Sequence, residues 1–247
     1  MARLDIRDIS FQYDNAPLFE RVSFSVGEGE FVSLLGPSGC GKSTILNLLA
    51  GILKPDGGEM YVDDERITGM NAHFAYMPQN DLLFPWQTIL KNVCLHARLH
   101  GTEPAARARA LELMPAFGLA GYENSYPREL SGGMRQRAAF LRTSLCDADV
   151  LLLDEPFGAL DVISRGDMQD WLVSMRAQLK KTCLLVTHDI DEAIYLSDRI
   201  LVIGGRPASI FGEVEVHERE RTRDWLYEQS ALRRQLHELI REAEVKR

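Results

Sequence analysis

The chain has 247 residues, of which 45% are hydrophobic and 26% are charged. This length suits one large domain or a domain with an inserted lobe. The net charge of -8 disfavours a nucleic-acid binder with a broad basic surface, and no apolar run approaches the roughly 18 residues that a membrane span requires. The charged N-terminus lacks the apolar core of a secretory signal, and the four cysteines are scattered without a CxxC pair. We therefore expect a protein of the cytosol that has no nucleic-acid partner.

The first part of the chain predicts short strands, then a strand that leads into a buried helix. Apolar and polar side chains alternate with the period of half-buried strands before the pattern changes to helical spacing. The predicted elements are strands at residues 9–13, 22–26 and 31–35, a helix at 43–50 ended by Gly51, and a strand pair after Gly58.

The rest of the chain predicts a helical middle followed by alternating strands and helices. Residues 105–113 and 133–144 are rich in helix formers. Strands are predicted at 150–153, 184–187 and 200–203, with helices at 164–181 and 190–196. This alternation favours an α/β fold with a mainly parallel sheet. The predicted parts of this single domain, 1–247, are a core of residues 1–78 and 146–211, an inserted helical lobe of residues 79–145, and a tail of residues 212–247.

The tail is rich in Glu and Arg, and its apolar residues recur at helical spacing. These residues are Leu232, Leu236, Leu239, Ile240 and Ala243. The spacing predicts an amphipathic helix, which packs either on its own domain or on a partner.

Residues 36–44, here called the phosphate loop, match the pattern G-x-x-x-x-G-K-[ST]. Glycines allow backbone N–H groups to turn inward and bind an anion, and the following helix presents its positive end to it. We expect Lys42 to contact phosphate oxygens and the Ser43 hydroxyl to bind Mg²⁺. The predicted binding residues are Gly36, Pro37, Ser38, Gly39, Cys40, Gly41, Lys42, Ser43 and Thr44.

Three further polar residues lie at the ends of predicted strands, where phosphate-binding sheets present their catalytic groups. Asp154 is predicted to support Mg²⁺, and Glu155 to take a proton from an attacking water. His188 is predicted to contact the terminal phosphate. Charges at the exposed end of a buried strand, or a structural histidine, remain alternative explanations.

Residues 130–137, LSGGMRQR, resemble the signature motif of the ABC ATPases. The resemblance extends over about residues 3–215 and includes the phosphate loop, the strand that ends in Asp154 and Glu155, and His188. It implies a P-loop NTPase core with an N-terminal antiparallel β part and an inserted helical lobe.

The resemblance also implies roles for residues that carry no motif of their own. Tyr13 would stack on adenine, although an aromatic residue of the strand core is an alternative. Gln79 would contact Mg²⁺ and the attacking water. Ser131 and Gly133 would complete the ATP site of a second copy, and Asp161 would cross the interface between the two copies.

The implied protein is an ATPase that closes as a two-fold dimer over two ATP molecules, with Mg²⁺. Residues 34–42, 82–86, 154–161 and 187–193 are similar to those of importers for nitrate, sulfonate, taurine and thiamine-precursor pyrimidines. We expect a peripheral protein at the cytoplasmic face of the cell membrane. Its expected partners are a second, identical copy, separate membrane permease subunits and, indirectly, a solute-binding protein. The expected cargo is a nitrate-, sulfonate- or taurine-like anion; the alternatives are a pyrimidine or another small organic solute, or a non-transport ABC ATPase.

Two more features lead to hypotheses. Phe84 and Trp86 follow Gln79 closely and either belong to the core or line a groove that receives a helix of the permease. Cys40 lies near Lys42 and a helix N-terminus, which favours a reactive thiol, so we expect bound ATP to protect it from alkylation.

Overall fold

The computed structural model describes residues 2–179, 181–218 and 220–245. Among these residues, no helix is long and apolar enough to cross a membrane. In chain order the elements are β1 (Ala2–Tyr13), β2 (Ala16–Gly27), β3 (Phe31–Leu35), α1 (Lys42–Leu49), β4 (Gly57–Val62), β5 (Glu65–Arg66), β6 (Phe74–Met77), α2 (Ile89–Val93), α3 (Leu95–Leu99), α4 (Glu103–Leu113), α5 (Gly132–Ser144), β7 (Val150–Asp154), α6 (Val162–Leu179), β8 (Thr182–Thr187), α7 (Ile190–Leu196), β9 (Arg199–Gly205), β10 (Ala208–Glu215), α8 (Arg223–Glu228) and α9 (Ser230–Val245).

The described strands form one mixed sheet in the order β5-β4-β1-β2-β10-β9-β3-β8-β7-β6. The neighbours from β9 to β6 run parallel, whereas β1, β2, β4 and β5 are antiparallel. Strand β10 is antiparallel to β9 and touches β2 through the pair Ala208 and Phe19. The predicted α/β class, with a parallel core and an antiparallel N-terminal part, is confirmed.

The register of the parallel strands brings their carboxyl ends to one edge of the sheet. Leu35 of β3 pairs with Thr187 of β8, and Asp154 of β7 pairs with Val186. Met77 at the end of β6 pairs with Leu153. The residues that follow these strands therefore meet at one edge, which is where an α/β sheet binds its ligands.

Alternate residues of the central strands enter two separate cores. Leu151 and Leu153 pack in a core that contains helices of the lobe, α6, α7 and α9. Val150 and Leu152 pack in the other, which contains α1 and the N-terminal strands. Because a strand buried on both faces is apolar at every position, the run 150–153 reads as a continuous hydrophobic stretch. The lobe thus shares its core with the sheet.

Two strands of the sheet are absent from the sequence predictions. Strand β6 was not predicted, because four residues of mixed polarity carry little local signal. Strand β10 was not predicted either; it runs from Ala208 to Glu215, so the predicted boundary between residues 211 and 212 cuts through it. Residue 180 of the predicted helix 164–181 and residues 219, 246 and 247 of the tail lie outside the described residues.

The amphipathic tail helix packs on its own sheet. Leu236 and Ala243 of α9 are fully buried. A Cβ atom at Gly204 of β9 would lie 2.7 Å from Cβ of Ala243, and one at Gly212 of β10 would lie 2.8 Å from Cδ2 of Leu239. Of the two alternatives for this helix, these contacts correspond to packing on its own domain.

Candidate active site

The phosphate loop joins β3 to α1 and holds a buried lysine. Lys42 is 5% exposed, and its Nζ atom donates to the carbonyl oxygens of Gly36 at 2.8 Å and Pro37 at 3.0 Å. A lysine ammonium has three N–H donors, so one can still serve an anion. Ser38, Gly39 and Ser43 are exposed on the loop, while Thr44 is buried.

Glycine is required at two positions of the loop because other atoms occupy the space of a side chain. A Cβ atom at Gly36 would lie 2.1 Å from the backbone oxygen of Ile203. Gly41 has a φ of 100°, and its Cβ would lie 2.6 Å from the ring of Phe19. A loop packed this closely presents its backbone, rather than side chains, to a ligand.

Tyr13 lies at the end of β1, and two other aromatic residues connect it to the phosphate loop. Its ring is 47% exposed and contacts Phe11 edge-on, with 4.8 Å between centroids. Phe11 pairs with Phe19 across the hairpin, and Phe19 contacts Gly41 of the loop. The side chain of Tyr13 is therefore half-exposed and available to a planar ligand.

Cys40 is buried, at 4% exposure, in the core beneath α1. An alkylating reagent could reach this thiol only when the phosphate loop opens. ATP protection of this thiol stays a prediction, with the expectation that the unprotected reaction is slow.

A cluster of oxygen atoms links α1 to β7. The Ser43 hydroxyl donates to Oδ1 of Asp154 at 2.8 Å, and the Tyr76 hydroxyl donates to Oδ2 at 2.9 Å. Burial, followed by the negative charge of Asp154, raises the pKa of Tyr76, so its hydroxyl remains protonated. Hydroxyl and carboxylate oxygens are the ligands that Mg²⁺ prefers, and this donor set fits that ion.

Glu155 and His188 come together across β7 and β8. The Nδ1 atom of His188 lies 3.1 Å from Oε1 of Glu155. Glu155 has a φ of 43°, and its amide donates to the oxygen of Val186 at 2.9 Å. Non-glycine residues rarely adopt this left-handed conformation, and those that do cluster at functional sites.

A small cavity of about 60 Å³ lies beside this pair, which is enough space for a water molecule. Its lining includes Glu155, Thr187, His188 and Glu192, together with Arg165. A carboxylate, an imidazole and a space for water thus occur side by side.

Gln79 approaches the same place from the loop after β6. A Cβ atom at Gly158 would lie 3.2 Å from Nε2 of Gln79 and 3.7 Å from Oε2 of Glu155. Because Gly158 has no side chain, both Gln79 and Glu155 can lie close to this position.

The signature segment, residues 130–137, begins α5. Ser131 caps this helix, and its Oγ atom accepts from the amide of Met134 at 3.3 Å. The atoms within 4 Å of a Cβ at Gly132 or Gly133 belong to residues 135, 160 and 164, and none belongs to the phosphate loop of the same chain. Gly132 and the predicted Gly133 therefore lie close to the start of α6, and Ser131 immediately precedes them.

Asp161 caps α6 near the signature segment. Its Oδ1 atom accepts from the amides of Ile163 and Ser164, each at 3.1 Å. Hydrogen bonds from the Ser164 side chain and backbone lower the pKa of Asp161, which keeps it ionised. The exposed apolar residues Val162 and Ile163 follow directly.

Arginines of α5 hold the segment that follows Gln79. Arg142 donates to the carbonyl oxygens of Asp81 at 2.6 Å and Leu82 at 2.8 Å. Arg135 donates to the Asp81 carboxylate at 3.1 Å. The loop after Gln79 and the signature helix are thus tied together.

Of the aromatic pair beyond this loop, Trp86 is exposed and Phe84 is half-buried. Trp86 is 70% exposed and stacks on Phe84, with 5.1 Å between centroids and 9° between planes. The buried amide of Asn92 accepts from the Phe84 amide at 2.6 Å and donates back to its oxygen at 3.1 Å. Trp86 therefore stands on a fixed backbone outside the core.

The sequence analysis did not single out three residues that lie in or next to the candidate site. Tyr76 lies on the unpredicted strand β6. Arg165 lies one turn into α6 and has a buried Nε atom with no hydrogen-bond partner in the described structure. Gln136 is buried and donates to the oxygen of Pro156; its place inside the signature motif was the available signal.

Residues 19–158 match the model of the family described as ABC transporter. The chain is 42% identical over 250 aligned residues to the formylaminopyrimidine import ATP-binding protein ThiZ of Halalkalibacterium halodurans, which covers 98% of each protein. It is 43% identical over 206 residues to the aliphatic sulfonates import ATP-binding protein SsuB of Bacillus cereus, covering 83% of this chain and 81% of that protein.

Solved structures with the same fold include two ATP-binding cassettes. The dimeric post-hydrolysis structure of the cassette MJ0796, bound to ADP and Pi, has a TM-score of 0.72 and 28% identity over 87% of this chain and 99% of that one. The structure of cbiO1 from Clostridium perfringens, part of the transporter complex cbiONQ, has a TM-score of 0.80 over 99% of this chain and 98% of that one. At 22% identity, the second likeness concerns the fold alone.

Proposed function

The chain belongs to the ABC transporter family, whose members are ATPases, and from that premise we propose that two copies hydrolyse ATP to drive import through a separate membrane permease. The observation that carries the proposal is the arrangement of Glu155 and His188, 3.1 Å apart beside a water-sized cavity. The lobe (79–145), the two-part core and the tail are the parts of this motor.

ATP binds along the phosphate loop in this proposal. Lys42 and the loop amides hold the phosphates, and Tyr13 stacks on the adenine. Ser43, Asp154 and Gln79 hold Mg²⁺, which would neutralise charge on the phosphate oxygens. The buried ammonium of Lys42 supports this assignment, because a buried cation gains most from an anionic partner.

Glu155 is the general base for hydrolysis. Its carboxylate lines the cavity, so a water held there is within reach of a proton acceptor. His188, whose side chain is 53% exposed and whose Nδ1 atom lies 3.1 Å from Glu155, contacts the terminal phosphate. Gln79, which lies near Gly158 as Glu155 does, orients the same water.

A second, identical copy completes each site. Ser131 and Gly133 lie at the N-terminus of α5, where the helix dipole favours an anion. Because the neighbours of Gly132 and Gly133 lie in residues 135, 160 and 164 rather than in the phosphate loop of the same chain, we assign Ser131 and Gly133 to the phosphates of the partner's ATP. Asp161 and its exposed neighbours Val162 and Ile163 extend this interface.

The membrane partner docks on the lobe, at the cytoplasmic face of the membrane. Exposed Trp86, stacked on Phe84, is an aromatic rim suited to a short helix. A groove of about 970 Å³ beside β6, lined by Ala97, Ala105 and Ala106 among others, offers further space. A solute-binding protein would act indirectly through the permease, and no nucleic-acid partner is proposed.

The cargo is proposed to be a sulfonate-like small anion. The relative named for aliphatic sulfonates supports this choice at 43% identity. A formylaminopyrimidine is the second candidate, because the relative named for that import matches over 98% of the chain, including the tail.

The decisive experiment measures ATPase activity against protein concentration for the wild type, Glu155→Gln and a control, Glu20→Gln, at an exposed site. We expect turnover to rise more steeply than linearly with protein, and Glu155→Gln to form an ATP-bound dimer without hydrolysis. Specific activity independent of concentration, with an active Glu155→Gln, would refute the shared site and the base. Co-purification with nucleic acid instead of membrane subunits would favour a non-transport ATPase.

A further inference from the structure

A buried carboxylate that catalysis does not use lies directly behind the histidine. Glu192 of α7 is 5% exposed. One of its oxygens accepts from the Thr187 hydroxyl, and the other accepts from Nε2 of Gln169 at 3.0 Å. Thr187 immediately precedes His188, so this carboxylate holds the residue from which the histidine projects.

The same contacts fix the turn on the other side of His188. Oγ1 of Thr187 accepts from the amide of Asp189 at 3.0 Å, and Oδ1 of Asp189 accepts from the amide of Glu192 at 3.1 Å. Residues 187–189, here called the switch loop, are therefore held to Glu192 at both ends.

Gln169 extends the chain of hydrogen bonds to the C-terminal segment. The side chain of Gln169 is 6% exposed, and its Oε1 atom accepts from Nη2 of Arg223 at 3.1 Å. Arg223 is the first residue of α8. A continuous path thus runs from Arg223 through Gln169 and Glu192 to Thr187.

Arg223 is itself held firmly. Its Nε atom donates to Asp170 at 2.7 Å, and Nη2 also donates to the Gly166 oxygen at 2.7 Å. The guanidinium lies over the ring of Tyr195, 4.4 Å from its centroid. With so many partners, the arginine is an anchor rather than a mobile surface group.

We infer that Arg223 is a positioning residue for hydrolysis, which acts on His188 through Gln169, Glu192 and Thr187. The inference rests on the role of His188 proposed above. It makes the C-terminal segment part of the catalytic apparatus, because loss of its anchor would let the switch loop shift while the phosphate loop stays intact.

Burial provides independent support. Burial is the main cause that raises the pKa of Glu192 to about 7, with a further increase from Asp189 and opposing effects of Thr187, Gln169 and Arg165. A carboxylate that is costly to ionise depends on its donors. Losing the Gln169 donor would therefore disturb the contact with Thr187.

The test compares steady-state ATPase kinetics of the full chain at saturating protein concentration. The variants are Gln169→Leu, Arg223→Ala, their double variant, His188→Ala as the reference, and Arg234→Ala as a matched exposed arginine. For each of the first two we expect kcat to fall roughly tenfold, as for a slightly misplaced catalytic group, with KM for ATP within about twofold of the wild type. The double variant should be no slower than the slower single variant.

A second pair guards against variants that fold poorly. Thr187→Val removes the hydroxyl and should lower kcat, whereas Thr187→Ser keeps it and should restore most of the activity. If His188→Ala lowers kcat but Gln169→Leu and Arg223→Ala do not, or if their effects add independently, the inference is wrong. If His188→Ala retains wild-type kcat, the assignment of His188 fails, and the inference fails with it.

Discussion

The hydroxyl of Ser43 donates to the carboxylate of Asp154 at 2.8 Å, although 111 residues separate them in the chain. The contact joins the first turn of α1 to the carboxyl end of β7. It places a hydroxyl and a carboxylate at the point where the phosphate loop begins its helix. Such a pair is the oxygen set that Mg²⁺ requires beside bound phosphates.

Asp154→Asn should raise the Mg²⁺ concentration for half-maximal ATPase activity roughly 10- to 100-fold, because one negative oxygen is lost from the site. Tyr76→Phe should give a smaller rise, since the carboxylate keeps its bond to Ser43. Magnesium titrations of both variants, beside Asp64→Asn in an exposed turn, measure the difference. Equal magnesium requirements for Asp154→Asn and the wild type would contradict the proposed ligand, and chelation of Mg²⁺ should abolish turnover.

Gly36→Ala should damage the phosphate loop, because the new Cβ would lie 2.1 Å from a backbone oxygen of β9. Relieving this overlap requires backbone movement, at about 3 kcal/mol of unfolding free energy, and ATP affinity should fall. Gly101→Ala is the matched control, since Gly101 has a φ of 75° but open space around it. It should cost about 1 kcal/mol and leave ATP affinity unchanged. Calorimetry measures the ATP affinity of the two variants, and denaturant unfolding measures their stability. Unchanged ATP affinity in Gly36→Ala would refute the predicted damage to the phosphate loop.

Glu192→Gln should change the pH dependence of stability. The folded protein raises the pKa of Glu192 from 4.5 to about 7, so it binds this proton more tightly than the unfolded chain does. The protonated Glu192 therefore contributes fully to the unfolding free energy below pH 4.5, and this contribution is lost as the pH rises through 7. Because glutamine stays neutral, the unfolding free energy of the variant relative to the wild type should increase from pH 5 to pH 8, by at most about 3 kcal/mol.

Denaturant unfolding at several pH values measures this difference, with Glu112→Gln at an exposed site as the control. Any loss of hydrogen bonding in Glu192→Gln is independent of pH and shifts the whole curve. A difference from the wild type that is the same at pH 5 and pH 8 would show that Glu192 titrates normally.

Trp86→Ala should weaken assembly with the permease while the isolated chain keeps its stability and ATPase activity. The side chain is 70% exposed, so its removal leaves no cavity in the core. Tyr227→Ala, at a residue 72% exposed on α8, is the matched control and should assemble normally. Co-purification with the membrane subunits is the measurement, and intact transport with Trp86→Ala would remove the proposed contact.

The local sequence pattern was sufficient to predict the bounds of an element where the segment itself marks its ends. Strand β3 and helix α7 have the predicted bounds, because apolar runs flanked by glycine or a capping residue limit them. The four residues of β6 gain their stability from pairing with β7, which no local window contains. Likewise, strand β10, which was not predicted, is stabilised by pairing with β9.

The candidate site divides in the same way. The positions of Glu155 and His188 at strand ends were readable, but their 3.1 Å approach depends on the register of β7 and β8. The path from Arg223 to Thr187 joins side chains of three helices and a strand end. No spacing in the sequence indicates such a path, because each residue alone has the polarity of an ordinary helix surface.

The grip of Arg142 on the carbonyls of Asp81 and Leu82 has a mechanical consequence. Helix α5 and this segment are held together as one rigid unit, while Met77 is fixed in the sheet by its pairing with Leu153. If the lobe rotates against the sheet, part of the change in backbone torsion angles must occur in residues 78–80, which join Met77 to the segment held by α5. Gln79 lies within this connection, so a rotation of the whole lobe would change the position of its side chain.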